Sequence, residues 1–151
     1  MKTVRELIKE AESKLDDEHK DVNVAKVLFY HLAKKEPHEL YLMMNEEVEP
    51  ELEKAFLAGM EEYYQGKPIQ YIKGCESFFG RDFKVNEDVL IPRQDTETLV
   101  ETALKLSKGK KKQKLLDMCT GSGCILLSFL ALLPETEGVG VDVSVPALQI
   151  A

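Results

Sequence analysis

The sequence predicts an α + α/β chain: a small helical bundle, a β-hairpin linker, and the opening of a doubly wound parallel sheet that stops after two strands. Three observations predict it. Residues 1–74 repeat apolar side chains at helical spacing almost without a break. At Cys75 the pattern changes to short aromatic and β-branched runs around glycine. From Gln113 the order becomes strand, glycine turn, helix, strand, helix, the alternation of a parallel α/β sheet.

Each element carries its own signals. In TVRELIKEAESKL, the residues Val4, Leu7, Ile8, Ala11 and Leu15 fall on one face. Asp21 is the expected N-cap of VNVAKVLFYHLAKK, whose face gathers Val24, Val27, Leu28, His31 and Leu32. Pro37 and Pro50 suit the first turns of PHELYLMM and PELEKAFLAGMEEYYQG, and Gly66 stops the latter. PIQYIKG makes a fifth short helix ending at Gly74. Such a set reads as a bundle over 1–74.

ESFFGRDFKV predicts a hairpin turning around Gly80-Arg81-Asp82, inside a linker over 75–93. Pro92 holds Ile91 extended. Asp95 or Thr96 is then expected to cap TETLVETALKLSKG, with Leu99, Val100, Ala103, Leu104 and Leu106 available for burial. KLLDM, CILLSFLALL, EGVGVDV and VPALQIA follow within the third segment, 94–151.

Composition narrows the function classes. With 44% apolar and 31% charged residues, the chain has the profile of a folded, soluble protein. No apolar run reaches the ~20 residues of a membrane span, so no membrane partner is expected. The acid-rich start MKTVRELIKEAESKL fits neither a secretory nor a transit signal, and cytoplasm is the expected location. Cys75, Cys119 and Cys124 show no CxxC spacing, and His19, His31 and His38 show no ligand spacing, so no metal is expected.

A net charge of −7, of which −5 lies in 1–74 and −2 in 75–151, argues against a nucleic-acid binder. The one basic run, KGKKKQK from Lys108 to Lys114, reads as a solvated linker. Docking on a polyanion such as ribosomal RNA is the alternative reading.

The candidate site is the stretch LLDMCTGSGC, Leu115 to Cys124. Gly121 and Gly123 can adopt angles closed to other residues and let a ligand approach the main chain. The following helix N-terminus offers free N–H groups and a positive dipole. Asp117 at the strand end can accept from a cationic group or orient the turn. A purely structural tight turn is the competing reading.

Asp142 lies 21 residues after Gly121, where an acid in such folds meets ribose hydroxyls. Its competing reading is a turn acid capping the next helix. A dinucleotide fingerprint would need a third glycine where Leu126 stands, which disfavours pyrophosphate. The string D-M-C-T-G-S-G instead resembles motif I of S-adenosylmethionine-dependent methyltransferases, with Cys119 in place of the usual first glycine.

Read with Gly66 to Glu101, the resemblance becomes specific. P-x-Q-Y-I-x-G, the aromatic hairpin and V-L-I-P-R-x-[DE]-T-E occur in the order and spacing of the HemK/PrmC family, and LLDMCTGSG and VGVDVS follow. These are the protein-(glutamine-N5) methyltransferases of peptide chain release factors. The resemblance implies a helical bundle that recognises the release factor, a hairpin linker and a Rossmann-like methyltransferase domain. It implies S-adenosylmethionine as cofactor, methylating the glutamine amide of a Gly-Gly-Gln loop.

By resemblance the cofactor would meet Asp117, Cys119, Thr120, Gly121, Ser122, Gly123 and Asp142. Pro92, Arg93, Asp95, Thr96 and Glu97 would form a candidate pocket loop, although Pro92, Asp95 and Glu97 also have local structural jobs. The family's catalytic Asn-Pro-Pro-Tyr motif is absent from these 151 residues. The expectation is therefore an N-terminal portion without catalytic residues and inactive by itself. The alternatives are a non-catalytic release-factor-binding module, and a superfamily methyltransferase acting on nucleic-acid bases.

Overall fold

The computed structural model describes residues 2–151, which fall into two compact units, 2–73 and 74–151. The first contains α1 (Val4–Asp17), α2 (Asn23–Ala33), α3 (Pro37–Met43), α4 (Pro50–Tyr64) and α5 (Ile69–Lys73). At the start of α1, the Thr3 hydroxyl accepts the Glu6 amide at 3.3 Å, and the Thr3 amide donates to the Glu6 carboxylate at 2.8 Å. This capping box satisfies one exposed N–H of the first turn. Val4 and Arg5 donate theirs to the carbonyls of Glu46 and Met44, at 3.0 and 2.9 Å. All five residues assigned to the buried face of α1 are buried.

The buried face of α2 is rotated from the expected one. Ala25 and Phe29 are fully enclosed with Val24 and Leu28, while Val27, His31 and Leu32 are half-buried. Phe29 takes the centre because its ring meets Phe56 of α4 edge-on, with centroids 5.8 Å apart. Asp21 does not cap α2 in the expected way. Val22 is already helical (φ −63°, ψ −26°), and the Asp21 carboxylate accepts the Asn23 amide two residues on, at 2.9 Å. Gly59 lets α4 pass close to its neighbours: a Cβ there would lie 2.9 Å from Leu28 Cδ2 and 3.2 Å from Ile72 Cγ2.

The second unit begins with the antiparallel pair β1 (Cys75–Phe78) and β2 (Arg81–Lys84). Phe78 pairs with Arg81, so the turn is the two residues Phe79 and Gly80, at φ 52° and 73°. Arg81 and Asp82, expected in the turn, lie in β2. Two consecutive positive-φ residues match the right-handed twist of the strands better than a wider turn does. Phe78 and Phe83 share one core with Val100 and Cys124, flanked by Phe79, Leu104 and Ile125.

A 3₁₀ turn, Gln94–Thr96, leads into α6 (Glu97–Ser107). Neither Asp95 nor Thr96 caps it. Thr96 is itself helical (φ −71°, ψ −20°), and a hydroxyl reaches the first-turn amides only from an extended cap residue. Val100 is fully buried and Ala103 and Leu104 half-buried, but Leu99 and Leu106, also expected in the core, are exposed. One packed side is all that an 11-residue helix on a hairpin needs.

The sheet comprises β3 (Lys114–Met118) and β4 (Glu137–Val141), parallel, with Leu116 opposite Val139 and Asp117 opposite Gly140. α7 (Cys124–Leu132) crosses between them, and α8 (Val145–Ile150) follows. α7 covers one face. The other face displays Leu116, Met118 and Val139, each more than half exposed. No helix of the described residues is long and apolar enough to cross a membrane.

β4 meets α7 through glycines. A Cβ on Gly138 would lie 2.7 Å from both Leu126 Cδ1 and Leu130 Cδ1, and one on Gly140 would lie 3.1 Å from Leu126 Cδ2. Gly138→Val is therefore expected to destabilise the second unit by about 1–3 kcal/mol. The check is native-state hydrogen exchange at the β4 amides, which should accelerate while the amides of α1 and α4 do not.

Candidate functional site

Asp117 stands at the penultimate position of β3, on the strand side that faces α7. Its carboxylate accepts the Thr120 hydroxyl at 2.8 Å. The Thr120 amide donates to the Val141 carbonyl at 3.0 Å, and the Thr120 carbonyl accepts the Gly123 amide at 2.8 Å. Thr120 is thus buried as the pivot of the turn. Ser122 is buried as well. Desolvation pushes the Cys124 thiol above its ordinary range.

Cys119 and Gly121 lie toward the outside of the turn, whereas Gly123 is buried. Cys119 is exposed and left-handed at φ 62°, the conformation a glycine would adopt freely. A Cβ added to Gly121 (φ 55°) would meet nothing within 4 Å, so open space adjoins the main chain there. Gly123, at φ 75°, ends the turn, and its carbonyl accepts the Leu127 amide to start α7.

Asp142 directly follows β4. One of its oxygens accepts the Gly121 amide and the other the Ser144 amide, both at 2.9 Å. These bonds, that of Ser144 first and that of Gly121 next, hold the carboxyl below its ordinary value. Capping of α8 falls to Ser144, whose hydroxyl accepts the Ala147 amide at 3.2 Å. Asp142 is a tie between the two strand-to-helix connections. With one lone pair used on each oxygen, it retains acceptor capacity for a vicinal diol.

Three amides of the turn are used within the protein, while the head of α7 has no side-chain cap. The amides of Thr120, Gly121 and Gly123 are committed to Val141, Asp142 and Thr120. Asp117 and Asp142 add negative charge beside the turn. That environment disfavours a pyrophosphate and suits a ligand with cationic groups.

The IPRQDTE segment has a different disposition. Pro92 and Thr96 are half-buried, Arg93 and Asp95 exposed. Glu97 turns to the hairpin, where it accepts the Phe79 amide at 2.8 Å. The lysine run lies at the start of β3. A cavity of about 540 Å³ there is lined by Lys112, Gln113, Lys114, Glu135 and Glu137, with Lys114 3.7 Å from Glu137. Carboxylates facing the lysines are what a solvated linker shows and a polyanion site avoids.

A family profile described as the PrmC N-terminal domain matches residues 6–74. A release factor glutamine methyltransferase of Bacillus cereus is 34% identical over 151 residues, covering 98% of this chain and 53% of that protein. Residues 6–74 belong to the PrmC N-terminal family, and the whole chain is similar to its release factor glutamine methyltransferases. The release factor glutamine methyltransferase of Bacillus subtilis is 36% identical over 156 residues, covering 100% of this chain and 54% of that protein. A bifunctional methyltransferase of Rickettsia typhi is 36% identical over 146 residues, 84% of this chain and 28% of that protein. The chain thus spans about half the length of the PrmC relatives from Bacillus.

Two outcomes are expected from the turn. Because the folded Asp142 carboxyl lies below its unfolded value, its contribution is complete above the unfolded value and lost as pH falls through the folded one. A carbon-13 titration of the Asp142 carboxyl should show that low midpoint, and the Gly121 amide proton should move with it. A Gly121 amide that ignores the titration would disprove the tie. Cys119→Gly removes left-handed strain of about 1–2 kcal/mol and adds about 0.5–1 kcal/mol of unfolded-chain entropy. Its urea midpoint should rise slightly; a lower midpoint would show that the cysteine is unstrained.

Proposed function

We propose that this chain supplies the substrate-recognition bundle and the cofactor turn of a release factor glutamine methyltransferase. In that reading residues 1–74 recognise the release factor, and residues 94–151 open a methyltransferase domain that uses S-adenosylmethionine. The observation that carries it is the Asp142 tie, a carboxylate anchored to the glycine turn with acceptor capacity left over. The relatives' names and the spacing of the hairpin and IPRQDTE segments support the same reading.

When bound, S-adenosylmethionine supplies a methyl group activated by its sulfonium. Asp142 would hold the ribose hydroxyls, and Gly121, open on one side, would line the adenosine site. Asp117 and Asp142 favour the cationic ligand electrostatically. The acceptor is the side-chain amide nitrogen of the glutamine in a Gly-Gly-Gln loop, a poor nucleophile that must be held in line with the methyl group. The 151 residues contain no Asn-Pro-Pro-Tyr segment, and no side chain described above is assigned to that amide.

Two measurements test the proposal. Titration with S-adenosylmethionine should shift the Gly121 and Gly123 amide resonances with weak affinity, and Asp142→Ala should weaken that binding by about tenfold or more. Absence of any shift in the wild-type chain would remove the cofactor from the proposal. Incubation with radiolabelled S-adenosylmethionine and a release factor should leave the glutamine unlabelled. Catalytic labelling by these 151 residues would show that the amide is held by groups other than the missing motif.

A further inference from the structure

Glu97 is the first residue of α6, and its carboxylate accepts the backbone amide of Phe79, 18 residues earlier, at 2.8 Å. Phe79 is an unusual residue for a left-handed position, and its φ of 52° is followed by 73° at Gly80. A charge-assisted bond to its amide offsets the cost of that conformation. One helical turn on, Val100 is fully buried against the same hairpin. α6 therefore grips the hairpin twice, by a carboxylate at the turn and by an apolar side chain beneath it.

The grip continues into the site. The buried ring of Phe78, 6.2 Å from that of Phe83, shares its core with Val100 and Cys124. Cys124 opens α7 and directly follows Gly123, whose carbonyl starts the helix. Between Glu97 and the glycine turn lie the Phe79 amide, the Phe78 and Phe83 rings, and the core those rings share with Val100 and Cys124.

We propose that Glu97 is a positioning residue for the glycine turn, fixing the hairpin whose phenylalanine rings seat Cys124 at the head of α7. Glu97 acts through the hairpin and not on a ligand. The purpose of the turn rests on the proposed function, but the position of the turn does not. A turn correctly placed that binds no S-adenosylmethionine would sink the functional reading and leave this one standing.

The test uses the full chain without cofactor and follows the amide resonances of Phe79, Gly121 and Gly123 with the alkylation rate of Cys124. Glu97→Ala should shift all three amides and speed alkylation by about tenfold, as local protection is lost. Glu97→Gln retains an acceptor oxygen and should restore the wild-type pattern. Glu97→Asp is one methylene shorter and should follow the alanine variant, which decides the matter if Glu97→Ala does not fold. Shifts confined to Phe79 and Gly80, with Gly121, Gly123 and the Cys124 rate unchanged, would reduce Glu97 to a local brace and overturn the proposal.

Discussion

The Asp142 carboxylate accepts the amide of Gly121 with one oxygen and that of Ser144 with the other, so both strand-to-helix connections meet at one side chain. The backbone ladder of the two-stranded sheet ends at Met118 and Val141; beyond it the Thr120 amide holds the first turn to the Val141 carbonyl, and Asp142 joins that turn to the second one. The tie leaves the Gly121 amide pointing back into the protein and its opposite side open. The same bond that orders the turn occupies the Gly121 amide and sets a carboxylate beside it, which disfavours a phosphate there. Local order and ligand class are consequences of one interaction.

Much of this was readable from residue types at fixed intervals. The five apolar positions of α1 are dictated by helical geometry and owe nothing to distant residues. Asp142 was legible from its distance to the glycines, because a strand, a crossing helix and a second strand occupy a nearly constant length of chain. The sequence left open whether Asp142 meets a ribose or caps α8. The structure gives the cap to Ser144, a residue type with the right preference that the stronger acid had overshadowed.

The misplaced features depend on partners far along the chain. A turn over Gly80-Arg81-Asp82 follows ordinary turn chemistry, which disfavours phenylalanine at positive φ. Phe79 accepts that conformation with the help of Glu97, and no local rule reports a carboxylate 18 residues away. Leu99 and Leu106 lie on a helix with a single packed face, and periodicity alone does not say how wide that face is. In α2 the large ring of Phe29 captured the centre from smaller residues because Phe56 of α4 faces it. Thr120 and Ser122 look like ligand contacts in the linear string, yet both side chains are turned inward to shape the turn.

The two glycines of β4 carry one more implication. In a dinucleotide-binding turn the helix provides the small residue that lets helix and strand approach. Here the helix has Leu126, and the clearance comes from Gly138 and Gly140 instead. The volume at this crossing is shared between two positions 14 residues apart, so neither is free to change alone. Among divergent members of the family, a bulkier residue at the position of Gly140 should accompany a smaller one at the position of Leu126. The pair would then drift as a unit through evolution, keeping the helix-to-sheet distance constant while exchanging which element provides the room.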